Sequence, residues 1–311
     1  DCASVNEIKM ALEAGATADR ISFGNTIKKE RDVARAFELG VRMFAVDCEE
    51  EVEKITRAAP GSTVFCRILT DGAGAEWPLS RKFGCVPEMA PQVLEHAWRH
   101  GLKPIGISFH VGSQQTNSAA WDIALASASR IFREMESRGI RLTMVNLGGG
   151  FPTRYLKEVP ALMEYGQAIY AAVRRFFGNR IPDTIIEPGR GMVGDAGVIR
   201  SEVGLVSRKS ADDAVRWVYL DIGKFGGLAE TMDEAIRYSI VTDRDGDSVS
   251  PCVLAGPTCD SADVLYEKTP YALPDTLRPG DQVFIEGTGA YTSTYSAVAF
   301  NGFEPLRTYV I

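Results

Sequence analysis

Residues Ile185-Ile186-Glu187-Pro188-Gly189-Arg190 end an apolar run with a carboxylate, after which a Pro-Gly pair stops the strand and turns the chain. One predicted strand earlier, Val145-Asn146-Leu147 leads directly into Gly148-Gly149-Gly150-Phe151-Pro152. Consecutive glycines at the end of a strand let backbone N–H groups approach an anion closely. A phosphate-binding turn beside a fixed carboxylate therefore predicts a phosphorylated cofactor with a basic nitrogen that is held protonated.

The chain around these motifs alternates short apolar strands with amphipathic helices. The predicted strands are 20–23, 43–47, 63–69, 105–111, 142–147 and 183–187. The predicted helices are 5–14, 29–39, 49–58, 88–100, 118–138 and 159–177. Such parallel βα steps fit an open doubly wound sheet or part of a (β/α)8 barrel. We favour the barrel because polar residues such as Arg67, His110 and Glu187 end the strands, and barrel sites are built at that end.

The pattern changes beyond residue 195 to β-type runs separated by turn-forming clusters. These runs are 198–206, 217–221, 250–254 and 282–286. The sequence therefore predicts a cofactor-binding barrel domain over residues 1–195 and a mainly β domain over residues 196–311.

The first residues, Asp1-Cys2-Ala3-Ser4, have the pattern of a strand end followed by a helix cap. Ser4 and Glu7 have the spacing of a capping box, and Gly15 is a natural end for the helix. We interpret this opening as the middle of a strand–helix unit. We therefore expect a preceding segment that supplies one more strand and closes the barrel.

The composition is that of an ordinary globular chain. Its 311 residues are 45% hydrophobic, and a net charge of −7 argues against a nucleic-acid footprint. No apolar stretch approaches the length of a membrane span, and no signal-peptide pattern is present. The six cysteines are scattered, which favours reduced thiols in the cytoplasm over a disulfide framework.

Two residues of the first domain could serve a cofactor. His110 lies at the end of a predicted strand, where its ring could stack on an aromatic cofactor, and Ser113 could bind a phosphate. A histidine buried for packing alone is the equal alternative for His110.

Two clusters of the second domain could also carry chemistry. Gly256-Pro257-Thr258-Cys259-Asp260 places a thiol beside a carboxylate, as a proton donor with a group that recognises a cationic substrate would require. A buried, inert thiol is the alternative, since free cysteine is often a small hydrophobe. Tyr291 lies in a Gly-rich turn where its hydroxyl could reach a phosphate, or it could serve packing alone.

Two patterns suggest metal sites but lack the required ligands. His96 and His100 are four residues apart on a helix, yet no third ligand accompanies them, so we predict a solvated helix face. Asp243–Asp247 imitates a calcium loop, but Leu254 occupies the position of the essential glutamate, so we predict a charged turn.

Taken in order, these motifs resemble the ornithine decarboxylase family, the barrel-type (alanine-racemase-like, fold type III) enzymes that use pyridoxal phosphate (PLP). The resemblance covers essentially the whole chain, and Leu220–Gly227 is most similar to the bacterial lysine/ornithine branch. It rests on Asp1–Ser4, Ser108–Ser113, Gly148–Pro152, Glu187–Arg190, Gly256–Asp260 and Gly289–Thr292.

The resemblance implies roles around the cofactor. Glu187 would hold the pyridine nitrogen protonated and His110 would stack on the ring. Asp1 and Arg67 would lie near the cofactor. The phosphate ligands would be Ser113, Gly148, Gly149, Gly150, Gly189, Arg190 and Tyr291.

The resemblance also implies how the substrate is handled. Cys259 would return a proton to the substrate's α-carbon, and Asp260 would bind the distal ammonium. Family members also carry a second substrate-binding acid on a short helix. Asp233 or Glu234 could fill this position here, and we choose Glu234. In this family Cys259 and Asp260 reach into the neighbouring subunit's site, so the resemblance implies a homodimer with shared active sites.

One family feature has no counterpart in the sequence. The lysine that carries the family's PLP lies on the first barrel strand in a Tyr-Ala-Val-Lys-type motif, and nothing here matches it. We expect it in a preceding segment of about 60 to 70 residues.

The sequence thus predicts a cytoplasmic PLP-dependent carboxy-lyase of polyamine biosynthesis, which converts L-ornithine and/or L-lysine to putrescine or cadaverine. Two alternatives stay open. One is a diaminopimelate or carboxynorspermidine decarboxylase of the same fold, and the other is a non-catalytic homologue of the antizyme-inhibitor type.

Overall fold

The computed structural model describes residues 1–70, 72, 74–77 and 82–311, which form two compact units. The first unit comprises Asp1–Phe151 and Pro160–Pro188, and the second comprises Pro152–Val159 and Gly189–Ile311. The domain assignment made from the sequence, 1–195 and 196–311, stays a prediction.

The first unit alternates helices and strands, as the sequence pattern predicts. Its helices are α1 (Val5–Glu13), α2 (Glu30–Glu38), α3 (Glu49–Ala58), α4 (Ala90–Arg99), α5 (Ala120–Ser137) and α6 (Leu162–Phe177). Its strands are β1 (Ser22–Phe23), β2 (Met43–Val46), β3 (Thr63–Arg67), β4 (Ala75–Trp77), β5 (Lys103–Ser108), β6 (Ser113–Gln115), β7 (Met144–Asn146) and β8 (Asp183–Ile185).

Six of these strands form one sheet in the order β1-β2-β3-β5-β7-β8, and every pairing in it is parallel. Cys2 extends the sheet by a parallel bridge to Phe23. Phe44, Ala45 and Val46 of β2 are fully buried, as expected for a parallel strand covered on both faces. The carboxyl ends of all six strands therefore lie along one edge, and the closed eight-stranded barrel stays a prediction.

The helices follow from caps and apolar spacing. The predicted Ser4 cap of α1 is confirmed, because the Glu7 N–H donates to Ser4 Oγ, but the Glu7 side chain accepts from the Ala3 N–H at 2.7 Å rather than from the Ser4 N–H that a capping box requires. In α5, Ala124, Ala128, Ile131 and Met135 are buried on one face.

The second unit is mainly β. It contains the short helix α7 (Gly189–Val193) and the strands β9 (Val198–Ser207), β10 (Arg216–Leu220), β11 (Ile240–Thr242), β12 (Val249–Ala255), β13 (Val264–Pro274) and β14 (Gln282–Glu286). The sheet has the order β11-β14-β9-β10-β12-β13, and only the β10–β12 pair is parallel. Its core includes Val203, Val218, Leu254 and Val283, all fully buried.

Two minor predictions can be compared with this fold. Residues 243–246 form a turn, as predicted for the acidic cluster. The prediction of a solvated helix face is wrong for His96, whose side chain is only 21% exposed and lies 3.8 Å from Glu49 and Glu53 of α3.

Across the described part of the chain, no group of three His, Cys, Asp or Glu side chains could hold a metal ion. No helix in that part is both long and apolar enough to span a bilayer.

Candidate active site

The first unit gathers Arg67, His110, Gly148–Gly150 and Glu187 at the carboxyl ends of neighbouring strands. Arg67 is the last residue of β3, and His110 follows β5 by two residues. The glycine triplet follows β7, and Glu187 follows β8. Because these strands are parallel and adjacent, their ends bring the four segments to one edge of the sheet.

The glycine triplet passes so close to its neighbours that it has no room for side chains. A Cβ on Gly148 would lie 2.0 Å from the carbonyl oxygen of Phe109, and a Cβ on Gly150 would lie 2.3 Å from that of Gly112. A Cβ on Gly149 would lie 2.8 Å from the carbonyl oxygen of Glu187 and 3.0 Å from His110 Nε2. Gly148 and Gly150 also have positive φ angles of 68° and 98°, which glycine adopts without strain.

The imidazole of His110 is held by its own loop. The Gly112 N–H donates to His110 Nδ1 at 3.0 Å, so Nδ1 is the acceptor nitrogen. Burial, and after it the positive charge of Arg67, lowers the pKa of His110 to about 4. The ring is therefore neutral at physiological pH.

Glu187 is positioned by Asn146, the last residue of β7. Asn146 Nδ2 donates to Glu187 Oε1 at 2.6 Å, and Asn146 Oδ1 accepts from the Gly148 N–H at 2.9 Å. The Glu187 N–H also donates to the Gly148 carbonyl at 2.9 Å. One amide side chain thus orients both the carboxylate and the first glycine of the triplet.

Arg67 is a largely buried cation in this cluster. Burial lowers its pKa, whereas the charges of Glu187 and then Asp47 raise it. Its guanidinium lies 5.2 Å from the centre of the Phe83 ring. Arg67 therefore contributes a positive charge to the cluster, at the end of β3.

The remaining predicted residues of the first unit are Asp1 and Ser113. Asp1 accepts a hydrogen bond from Ser22 Oγ at the start of β1. A Cβ on Gly24 would lie 2.2 Å from the Asp1 carboxylate, so a side chain there would displace that carboxylate. Ser113 begins β6 and pairs with Trp77 of β4.

The second unit holds Gly189, Arg190 and Tyr291 together. Arg190 is 4% exposed and donates from Nη2 to Glu230 Oε1 at 2.6 Å and from Nη1 to Tyr155 Oη at 2.7 Å. Burial alone would lower the pKa of Arg190, but the hydrogen bond and charge of Glu230, with those of Tyr155, raise it. The guanidinium also lies 4.9 Å from the centre of the Tyr291 ring.

Cys259 and Asp260 lie in the connection between β12 and β13. The Cys259 thiol is exposed, which removes the alternative of a buried packing cysteine. The Cys259 N–H donates to Asn301 Oδ1 at 2.9 Å, and Asp260 Oδ1 accepts from the Ala262 N–H at 2.8 Å. Hydrogen bonds from backbone N–H groups to the side chains of Asn301 and Asp260 therefore hold the turn, and Cys259 itself is exposed.

Asp263 anchors this turn from inside the second unit. Its carboxylate is 2% exposed and accepts from the Lys224 N–H at 2.8 Å and from Thr258 Oγ1 at 2.7 Å. A Cβ on Gly223 or Gly256 would lie within 2.3 Å of that carboxylate. Asp263 thus joins the Cys259 turn to the segment that follows β10.

Glu234 is already engaged within the second unit. Its Oε1 accepts from the backbone N–H groups of Lys268 and Thr269, and its Oε2 pairs with Arg237 at 2.9 Å. The neighbouring Asp233 has a side chain that is 88% exposed and a single ion pair with Lys268 at 3.2 Å. Of these two acids, Asp233 is the one whose carboxylate faces solvent.

Comparison with known proteins identifies the family. The family model of the pyridoxal-dependent decarboxylase pyridoxal-binding domain matches residues 1–194. The chain belongs to the pyridoxal-dependent decarboxylase family.

Three members illustrate the similarity. The lysine/ornithine decarboxylase of Selenomonas ruminantium is 36% identical over 310 residues, a match that covers 97% of this chain and 75% of that protein. The Vibrio vulnificus lysine/ornithine decarboxylase, solved with putrescine, has a TM-score of 0.85 and 30% identity over 99% of this chain and 80% of the other. The Paramecium bursaria Chlorella virus arginine decarboxylase has a TM-score of 0.87 and 30% identity over 98% of this chain and 80% of the other.

The residues of this decarboxylase-family chain fit the family's cofactor in their chemistry. The glycine triplet leaves a side-chain-free surface, His110 offers a neutral aromatic ring beside it, and Glu187 offers an oriented carboxylate. Sequence reasoning missed Asn146, Glu230 and Asp263. Asn146 could have been found, because it ends a strand directly before the glycines, whereas the other two become visible only through their contacts.

Proposed function

We propose that the protein decarboxylates L-ornithine and/or L-lysine to putrescine and/or cadaverine with PLP as cofactor. The observation that carries this proposal is the cluster of neutral His110, the glycine triplet and Glu187 oriented by Asn146. Membership of a family whose named relatives act on lysine and ornithine supports the substrate class.

Glu187 is the residue that we assign to the ring nitrogen. PLP, when bound, supplies an electron sink for the electron pair left on the α-carbon as CO2 departs. A carboxylate paired with the ring nitrogen keeps a proton there, because the opposite charge favours the protonated form. Asn146 holds the carboxylate in one orientation at 2.6 Å, which favours such a fixed pairing.

His110 is assigned to the face of the ring. A neutral imidazole adds no positive charge next to a protonated pyridine nitrogen, and its low pKa keeps it neutral above about pH 4. The hydrogen bond from Gly112 to Nδ1 fixes the ring orientation. Asp1 and Arg67 are proposed to lie near the cofactor, as the family resemblance implies.

The phosphate ligands are proposed from the resemblance together with the local chemistry of each unit. The Gly148 N–H already donates to Asn146 Oδ1, so the backbone N–H groups proposed to bind the phosphate are those of Gly149 and Gly150, and such groups bind anions. Arg190 retains its positive charge because Glu230 and Tyr155 raise its pKa. The proposed set is Ser113, Gly148, Gly149, Gly150, Gly189, Arg190 and Tyr291.

Cys259 is assigned the return of a proton to the α-carbon, and Asp260 the binding of the substrate's distal ammonium. An exposed thiol on a fixed turn supports the first assignment. Glu234 remains our choice for the further acid, although its carboxylate accepts two backbone hydrogen bonds in this chain. We further propose a homodimer in which the Cys259 turn completes the partner's site.

The remaining proposals concern architecture and cellular context. We propose that residues 1–195 form the PLP-binding part of an eight-stranded barrel and residues 196–311 a β domain. We also propose a cytoplasmic role in polyamine synthesis.

Product analysis tests the proposed reaction. The PLP-loaded protein is incubated with L-ornithine, L-lysine or meso-diaminopimelate in separate reactions, and the amines and CO2 are quantified. We expect putrescine or cadaverine in an amount equal to the CO2 released. The sequence does not predict whether ornithine or lysine is preferred. The two substrates differ by one methylene group, and a pocket distinguishes such a difference by only about 1–3 kcal/mol. CO2 from diaminopimelate alone would favour the first alternative, and PLP binding without any product would contradict the proposal.

A further inference from the structure

Two thiols lie in contact beside the candidate active site, and the proposed reaction uses neither. Cys66 of β3 is fully buried, and Cys85 is 7% exposed. Their sulfur atoms are 3.6 Å apart, and both cysteines are free thiols. None of the other four cysteines makes such a contact within the described part of the chain.

The backbone holds the two sulfurs together. The Cys85 N–H donates to the Arg67 carbonyl at 3.0 Å, and the Leu69 N–H donates to the Cys85 carbonyl at 2.8 Å. Cys85 thereby forms a parallel bridge with Ile68, immediately beyond β3. A disulfide bond is about 2.05 Å long, so the sulfurs must approach by only about 1.5 Å to form one.

The residue before Cys85 limits how the segment can move. The Gly84 N–H donates to Asp47 Oδ2 at 2.9 Å, and a Cβ on Gly84 would lie 2.9 Å from the carbonyl carbon of Ile68. Cys66 lies in a strand that is paired on both sides, by β2 and by β5. Cys66 is thus held by strand pairing on both sides, whereas Cys85 is held by two hydrogen bonds, so we expect Cys85 to make most of the short approach.

The pair is also asymmetric in acidity. The hydrogen bond with Cys66 lowers the pKa of Cys85, while the same hydrogen bond and burial raise the pKa of Cys66. The thiolate is the nucleophilic form of cysteine. Cys85 is also the more exposed of the two residues, which makes it the thiol that peroxide would reach first.

We propose that Cys66 and Cys85 are a redox-active dithiol that hydrogen peroxide closes to a reversible disulfide. The Cys85 sulfur attacks one oxygen of peroxide, which breaks the O–O bond and gives a sulfenic acid and one water. The Cys66 sulfur then attacks the Cys85 sulfur, and an S–S bond replaces the S–O bond. The sulfenic oxygen leaves as a second water, which takes up the proton of the Cys66 thiol. Both thiols together lose two electrons, and peroxide gains them.

Because Cys66 and Cys85 lie next to Arg67, a disulfide between them would also constrain the surroundings of that residue. The Arg67 carbonyl accepts the Cys85 N–H at 3.0 Å, and Arg67 is the residue after Cys66. Phe83, two residues before Cys85, lies 5.2 Å from the Arg67 guanidinium. A disulfide would therefore join β3 covalently to the segment that contacts the Arg67 side chain.

Peptide mapping after mild oxidation tests this proposal. The PLP-loaded protein is treated with stoichiometric peroxide, denatured in an alkylating reagent and digested without reductant. We expect one cross-linked peptide that contains Cys66 and Cys85, lighter than the two free peptides by two hydrogen atoms, and dithiothreitol should restore both thiols. The intact mass of the protein is measured in parallel, and this readout of oxidation does not depend on whether the protein is catalytically active.

Two variants sharpen the result. Cys66→Ala should stop Cys85 oxidation at the sulfenic or sulfinic acid, because the resolving thiol is absent. Cys48→Ser is the matched control, since Cys48 is half-buried, and it should leave the cross-link unchanged. Recovery of Cys66 and Cys85 as separately alkylated or separately over-oxidised peptides from the wild-type protein would overturn the proposal.

Discussion

At the scale of single residues, the site depends on groups whose charge state is set by neighbours. His110 is kept neutral by burial and by Arg67, and Arg190 is kept charged by Glu230 and Tyr155. Glu187 accepts from an amide that has no charge of its own. We propose that His110 and Glu187 serve the ring of the cofactor and that Arg190 serves its phosphate.

The Glu187 carboxylate should matter more for turnover than for cofactor retention. In Glu187→Ala, the ring nitrogen would lose the group that we propose keeps it protonated, while the proposed phosphate ligands of the glycine triplet would be unchanged. We expect kcat to fall by about 10²-fold or more, as when a preorganised charge is removed from an active site. Steady-state kinetics and PLP content are measured on the same preparations, with Glu164→Ala on the surface of α6 as control. A proportional loss of kcat and PLP content would contradict the role.

The low pKa of His110 predicts a pH-dependent contribution to stability. The folded value of about 4 lies below the ordinary value of 6.5, so the unfolded chain binds the proton more readily between these pH values. The stabilisation is complete above about pH 6.5 and is lost as pH falls toward 4. Between pH 7.5 and 5.0 we expect a loss of about 2 kcal/mol from this residue.

Urea unfolding at pH 7.5 and 5.0 checks this contribution. His110→Phe keeps an aromatic ring but cannot titrate, so its free energy of unfolding should fall less between the two pH values than that of the wild type. Equal falls in both proteins would show that His110 is not held neutral by the fold.

At the scale of elements, the glycine triplet is the part of the site that the backbone alone creates. Gly149 does not have a positive φ angle, so backbone strain does not exclude a side chain there. Sterics do, because its Cβ would meet the Glu187 carbonyl and the His110 ring. The triplet therefore couples the ends of β5, β7 and β8. A larger residue at this position should disturb all three strand ends.

Gly149→Ala should lower both stability and PLP affinity. Overpacking of this kind costs about 1–3 kcal/mol, and the displaced His110 and Glu187 no longer present their groups correctly. The matched control is Gly166→Ala in α6, where a Cβ meets nothing within 4 Å and the helix should gain up to about 1 kcal/mol. Urea unfolding and PLP titration measure the two effects. Wild-type stability and affinity in Gly149→Ala would refute the steric argument.

The sequence predicted the strand-end motifs well because they depend on local rules. Val145–Pro152 and Ile185–Arg190 each contain the end of a strand, a turn and a polar residue, and the structure has both strands, β7 and β8, in one sheet. The contact between Asn146 and Glu187 could not be predicted in this way, because it depends on the pairing of β7 with β8. The sequence of neither segment alone shows that pairing.

Other elements were missed for identifiable reasons. β13 contains Pro270 and Pro274, residues that argue against a strand when its position at the sheet edge is unknown. β11 is only three residues long. Glu230 and Asp263 carry no motif, and their importance follows from buried contacts with Arg190 and with the Cys259 turn.

At the scale of the whole molecule, the proposed homodimer predicts complementation between two inactive variants. If Cys259 serves the partner's site, co-expressed Glu187→Ala and Cys259→Ala chains form heterodimers that contain one intact site. Random pairing should then restore about a quarter of wild-type activity. The activity of the purified mixture measures this, and a mixture of Cys259→Ala with Cys259→Ser chains is the control. Activity no greater than that of the separate variants would place Cys259 in its own subunit's site.

The most direct measurement is PLP uptake by the purified wild-type protein, followed by the visible absorbance spectrum and by PLP content after gel filtration. The account predicts about one PLP per chain, co-eluting with the protein and with a spectrum distinct from that of free PLP. A protein that elutes without PLP, and with the spectrum of the cofactor unchanged on mixing, would contradict the account.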